Sequence, residues 1–169
     1  MLRVEARPLL LGLPPLIDSR STVLILGSFP SEMSLAKQEY YGNPHNHFWP
    51  IMEALFDVDR AASYRERTSA LVEQGVAVWD VIARCSRKGS GDDRIREAAA
   101  NPLIALLEGH PGIRRVAFNG GMAYRTARLL APGMFGLRGV RYERMPSTSP
   151  RNARMPLGAK VEAWGRIKD

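Results

Sequence analysis

The chain has 169 residues, 45% hydrophobic and 24% charged, the balance of an ordinary globule with enough length to bury one domain's core. It has no apolar run of membrane-spanning length and no secretory cleavage pattern around Pro8 and Pro14-Pro15, so a cytoplasmic protein is expected. Its lone cysteine, Cys85, excludes a disulfide framework, a Cys-rich zinc site and a four-cysteine cluster. The net charge of +7 is uneven: residues 1–83 carry 7 Lys and Arg against 10 Asp and Glu, residues 84–169 carry 17 against 7. That asymmetry favours a polyanionic partner, nucleic acid first.

In chain order, Thr22–Leu26 reads as a short buried strand, ending in the turn Gly27-Ser28-Phe29-Pro30-Ser31. The loop that follows, through Tyr40-Tyr41-Gly42-Asn43-Pro44-His45-Asn46-His47-Phe48-Trp49, is dense in stacking and hydrogen-bonding groups. Pro50 opens a helix through Ile51, Met52, Leu55 and Phe56; Ser63–Glu73 is a second helix, stopped by Gly75. Val76–Trp79 is a second strand, stopping at Asp80. Ser86–Asp93 reads as loop, with Asp92 or Asp93 capping a helix over Ile95–Ala99. Pro102 opens a helix over Leu103–Leu107, Arg114–Phe118 is a third strand, and Asn119-Gly120-Gly121 turns into a helix through Leu130. A fourth strand near Val140–Arg144, a loop over Pro146–Pro156 and a last helix over Val161–Ile167 complete the chain. This alternation predicts an α/β fold in three layers, α/β/α, around a mainly parallel four-stranded sheet. One domain over 1–169 is expected, with residues 1–20 an extension packed on it.

Parallel strands bring the loops after Leu26, Trp79, Phe118 and Arg144 to one rim, where α/β folds bind ligands. The Gly27–Ser31 turn can present backbone amides to a carbonyl or an anion, though it matches neither a Walker loop nor GxGxxG. Tyr41 can stack on a base and Asn46 offers donors and an acceptor, while both read equally as turn chemistry; Trp49 reads as core. Asp80 closes an apolar strand, a place for a charge that is paired or functional, with Arg84 and Arg87 as available ion-pair partners. Asn119 reads first as an Asn-Gly turn. Hydroxyls and arginines over Ser147–Arg154 suit phosphate oxygens. His45, His47 and His110 have no metal-site spacing, so no metal is expected; a Ser/His/Asp triad is open on composition but lacks GxSxG and ranks low, and no cofactor is expected.

Together GSFPS at 27–31, YYGNPHNHFW at 40–49, VWDV at 78–81, FNGGMAY at 118–124 and PSTSPRNA at 146–153 resemble the uracil-DNA glycosylase superfamily, most closely its hypoxanthine-DNA (deoxyinosine) glycosylase branch. The resemblance implies a metal-free enzyme that flips a damaged base out of DNA and hydrolyses its glycosidic bond. By motif position it makes Asn46 catalytic, holding the attacking water. Gly27, Ser28, Phe29, Tyr41, Asp80 and Asn119 become base-binding residues, with Asp80 where uracil-excising members use an Asn to read the base. Ser31, Ser147, Thr148, Ser149, Arg151 and Asn152 become DNA-binding residues. Phe29 stands where those members carry an acidic residue or an Asn, and the fourth motif lacks their histidine; both departures fit the deoxyinosine branch. The branch's usual histidine near position 43 is Asn43 here. The implied partner is DNA containing deaminated bases, bound by a monomer. The alternatives are a uracil or G:U/T mismatch glycosylase, a catalytically silent nucleic-acid-binding domain of the same fold, and a nucleotide hydrolase.

Overall fold

The computed structural model describes residues 7–169. Four parallel strands, β2 (Val23–Gly27), β3 (Val76–Asp80), β6 (Arg115–Asn119) and β7 (Arg141–Met145), form a sheet in the order β3-β2-β6-β7. The continuous apolar runs of β2 and β3 are buried along their whole length, as strands covered on both faces require. Helices flank this sheet: α2 (Phe48–Phe56), α3 (Tyr64–Glu73), α4 (Leu103–Gly109), α5 (Gly121–Leu130) and α6 (Leu157–Trp164), with the short α1 (Glu32–Lys37) above its rim. Ser63 caps α3 through a reciprocal capping box with Glu66. Among the described residues no helix is long and apolar enough to cross a membrane.

The three-layer fold agrees with the sequence pattern, and the strand ends sharpen it. β2, β3, β6 and β7 each run one residue beyond their expected ends. Gly27 and Asp80 therefore pair in register as the last residues of adjacent strands, and Asn119 pairs with Met145. These are sheet residues with fixed backbones, not the first residues of loops.

A second, antiparallel sheet departs from the sequence pattern. β1 (Leu9–Leu11), β4 (Ile82–Ser86) and β5 (Arg96–Ala100) pair in the order β1-β4-β5. The helix expected over Ile95–Ala99 is therefore a strand. Its alanines favour helix locally, but five residues are too few to sustain one, and β4 offers an unpaired edge. The pairing is irregular, with two register shifts and Glu97 at a φ of 55°. Asp92 opens only a 3₁₀ turn over Asp92–Arg94.

Of the N-terminal extension, residues 1–6 lie outside the described residues. The rest is woven in: Leu13 is buried, its carbonyl accepts from Trp79 Nε1 at 3.0 Å, and Tyr40 Oη donates to Pro14 O at 2.7 Å.

Candidate active site

At the carboxyl rim of the parallel sheet lies a cleft of about 640 Å³, within the range of small-molecule sites. Its walls are the Gly27–Ser34 segment, Tyr41, Asn43, Asn46, Asp80, the Ser90–Asp93 turn, Asn119 and the Ser147–Arg151 loop. Nearly all the residues expected from sequence to touch a substrate are thus brought together. Asn152 stands just behind, donating from Nδ2 to Ser147 O at 3.1 Å.

Asn46 sits at the entry to α2. Its Oδ1 accepts the Phe48 amide at 2.9 Å, and its own amide donates to Asn43 O at 2.9 Å. The side chain is therefore held in one orientation, with a second Oδ1 lone pair and both Nδ2 hydrogens left for another partner. Tyr41 stacks on Phe48, with ring centroids 3.9 Å apart and planes 17° from parallel. Phe48 is fully buried, so Tyr41 is a ring with one backed face. Trp49 is core, as expected, and donates to Tyr40 O at 3.2 Å.

Asn119 binds inward. Its Nδ2 donates to Tyr41 Oη at 3.1 Å and to Thr148 Oγ1 at 2.9 Å, and its Oδ1 accepts from Thr148 N at 2.9 Å. The amide braces the aromatic loop against the fourth motif. Thr148, expected at the DNA surface, is fully buried by these bonds and by accepting from His47 N. Its buried polar groups must be paired, and that pairing removes them from the surface. Gly120 permits the approach: at a φ of 94°, a Cβ there would lie 3.0 Å from Ser147 Cβ. Behind the loop, Trp164 Nε1 donates to Pro146 O at 2.9 Å, and buried Lys160 bonds His47 Nδ1 at 3.1 Å. Burial pushes the Lys160 ammonium below its ordinary value; burial and then the Lys160 charge do the same to His47.

Other hydroxyls of the two loops hold local structure. Ser31 Oγ caps α1 by accepting from Ser34 N, Ser147 Oγ accepts from Ser149 N, and Ser149 Oγ accepts from Arg151 N. Arg151 projects from this scaffold. It is 70% exposed and 3.9 Å from Asp93, itself 71% exposed, so the pair is weak.

The electrostatics are set by two carboxyls. Asp80 is 5% exposed, and burial, with the Asp92 charge adding, pushes it up to about 7. Asp92 is also raised by burial, although Ser28 Oγ donates to its Oδ2. Sequence reasoning missed Asp92 except as a cap; the signal available was a pair of acids in a basic half of the chain. Neither Arg84 nor Arg87 forms an ion pair with Asp80. Buried Arg87 instead donates to Pro30 O at 2.7 Å and Gly89 O at 2.6 Å and lies 5.2 Å over Phe29. Phe29 packs there with Ile82 and Cys85 and so joins the two sheets beneath the cleft. Among the described residues no three His, Cys, Asp or Glu side chains cluster as metal ligands would.

The profile of the Uracil DNA glycosylase superfamily matches residues 14–168. A protein of Methanosarcina acetivorans named hypoxanthine DNA glycosylase is 36% identical over 159 residues, 92% of this chain and 96% of the relative. A Methanosarcina barkeri protein of the same name is 36% identical over 110 residues, 64% of this chain and 70% of its own. A solution NMR structure from M. acetivorans, described as a uracil DNA glycosylase candidate, superposes with a TM-score of 0.79 at 30% identity, covering 96% of this chain and all of the other. With its rim of strand-end residues and this match along nearly its whole length, the chain belongs to the uracil DNA glycosylase superfamily.

Proposed function

We propose that this protein is a monofunctional DNA glycosylase that removes hypoxanthine from deoxyinosine by water attack. It acts as a monomer in the cytoplasm, with residues 1–169 as one catalytic unit. The observation that supports this best is the content of the cleft: a fixed amide at Asn46, a backed aromatic ring at Tyr41 and a buried carboxyl at Asp80, in a member of a family whose similar proteins bear that name.

The chemistry fits these parts. A base must leave the stack before its glycosidic bond can be reached, at a cost of a few kcal/mol, and it then needs a pocket with a stacking wall. Tyr41 supplies the wall. The backbone amides of Ser28 and Phe29, in the turn just after β2, donate to O6 of the flipped base, and Asp80 reads its ring edge. The sugar develops oxocarbenium character, so a positioned water suffices in place of a protein nucleophile. The free Oδ1 lone pair of Asn46 accepts a water proton and aims the water oxygen at C1′. The loop from Ser147 to Arg154 holds the duplex backbone.

DNA as the substrate predicts two results. Free deoxyinosine is left intact under conditions that cleave an inosine-containing duplex. Changing the exposed pair Arg151 and Arg154 to glutamine weakens binding to inosine-containing and undamaged duplexes alike. It makes the slope of log Kd against log salt shallower by about 1 for each phosphate no longer neutralised. Unchanged affinity and slope in fluorescence-anisotropy titrations contradict the role given to this loop.

A further inference from the structure

Of the groups packed around Asp80, only the Arg87 guanidinium favours its charge. Gly27 faces it from β2, so closely that a Cβ there would lie 2.5 Å from Asp80 Oδ1 and 3.3 Å from Tyr41 Oη. The phenols of Tyr40 and Tyr41, on the loop beside it, are themselves pushed up by burial and stay neutral. From the turn after β4 comes a second carboxyl, Asp92, whose charge opposes ionisation of Asp80. The Arg87 guanidinium on that side pulls the other way, but it forms no ion pair with Asp80 and is held by backbone carbonyls, so burial and Asp92 prevail. Asn119, at the end of β6, gives its amide to Tyr41 and Thr148. Asp80 Oδ2 is buried without a hydrogen-bond partner among the described residues, in the wall of the cleft.

A carboxyl with one orphaned, solvent-excluded oxygen is favoured as the neutral acid, and its protonation state decides which ligand atom it can meet at the cleft. As the C1′–N9 bond of deoxyinosine lengthens, its electron pair moves onto the purine. A buried anion beside that ring opposes the change, whereas a neutral acid assists it. Purine N7 carries a lone pair in the ring plane, and protonating it turns the base into a better leaving group. We propose that Asp80 is a catalytic general acid, donating its carboxyl proton to N7 of the flipped hypoxanthine as the glycosidic bond breaks.

The step balances. The C1′–N9 pair goes to the base, and the Asp80 proton goes to N7, so hypoxanthine leaves as a neutral tautomer. The water at Asn46 forms the C1′–O bond and releases its surplus proton to solvent, and the Asp80 carboxylate regains a proton from solvent. This differs from holding N1–H with a carboxylate, which requires the ionised form throughout.

The inference rests on the hypoxanthine reading, and single-turnover cleavage of an inosine-containing duplex from pH 5.5 to 9 separates the two. If wild-type protein releases no hypoxanthine at any pH, the reading itself fails. If it does, the wild-type rate is flat on the acid side and falls about tenfold per unit above the carboxyl's own titration near 7. Asp80→Asn is slower by about 100-fold or more and loses that fall. A duplex carrying 7-deaza-2′-deoxyinosine is bound by wild-type protein within a few-fold of the inosine duplex and cleaved about 100-fold more slowly or worse. The 7-deaza arm needs no variant, so it stands even if Asp80→Asn folds poorly. Loss of rate in Asp80→Asn with the alkaline fall retained means a structural role and overturns the inference. So does cleavage of the 7-deaza duplex at the inosine rate.

Discussion

Replacing Asn46 with alanine lowers single-turnover release of hypoxanthine by about 10²–10³-fold, while duplex affinity stays within a few-fold. The size follows from what the side chain supplies. Asn46 Oδ1 is pinned by the Phe48 amide, so the rest of the group is already oriented when a substrate arrives. An oriented acceptor removes the entropy of placing a water at C1′, and alanine returns that entropy to the barrier. Alanine also removes the bond to Phe48 and destabilises the start of α2 by about 1 kcal/mol. Asn46→Ser separates the two effects. Its shorter hydroxyl keeps an acceptor for the Phe48 amide and restores stability in urea titrations, yet it does not reach the water, so cleavage stays low. Full activity in Asn46→Ala, or recovery in Asn46→Ser, contradicts the assignment.

Gly27→Ala is expected to lower cleavage by about 100-fold and to destabilise the fold by about 1–3 kcal/mol. The new methyl would sit 2.5 Å from Asp80 Oδ1, and neither backbone can withdraw. β2 is bonded to β3 on one side and β6 on the other, and just beyond the strand Val81 N donates to Gly27 O at 2.8 Å. The Asp80 carboxyl must therefore leave its position beside Gly27 in the wall of the cleft, and the methyl itself also crowds Tyr41 Oη at 3.3 Å. The loss of rate exceeds the loss of stability: under conditions where the variant remains folded by circular dichroism, cleavage is still impaired. Wild-type rates from a folded Gly27→Ala protein contradict the placement of Asp80 against the substrate.

Much of this site is legible in the sequence because it sits at strand ends. Apolar runs stopping at Gly27, Asp80 and Asn119 place these three residues on one rim through the parallel topology alone. What escapes is tertiary. β1 is three leucines, too short to show a period, and β4 puts Arg84 and Cys85 side by side without an alternating pattern. Ala98–Ala100 favour helix until the open edge of β4 is present. Asp92 belongs to this second sheet's turn and reaches the cleft only through its bond with Ser28, 64 residues earlier in the chain. Asn119 and Thr148 read as separate motif residues, and only their mutual bonds show that one braces the other.

Which base leaves decides the function. The most direct measurement is a single-turnover panel of duplexes carrying hypoxanthine, uracil or thymine opposite each normal base, with the released base identified by chromatography. The predicted result is release of hypoxanthine, faster than of uracil or thymine in every pairing. Uracil released as fast or faster, or no release from any duplex, contradicts it.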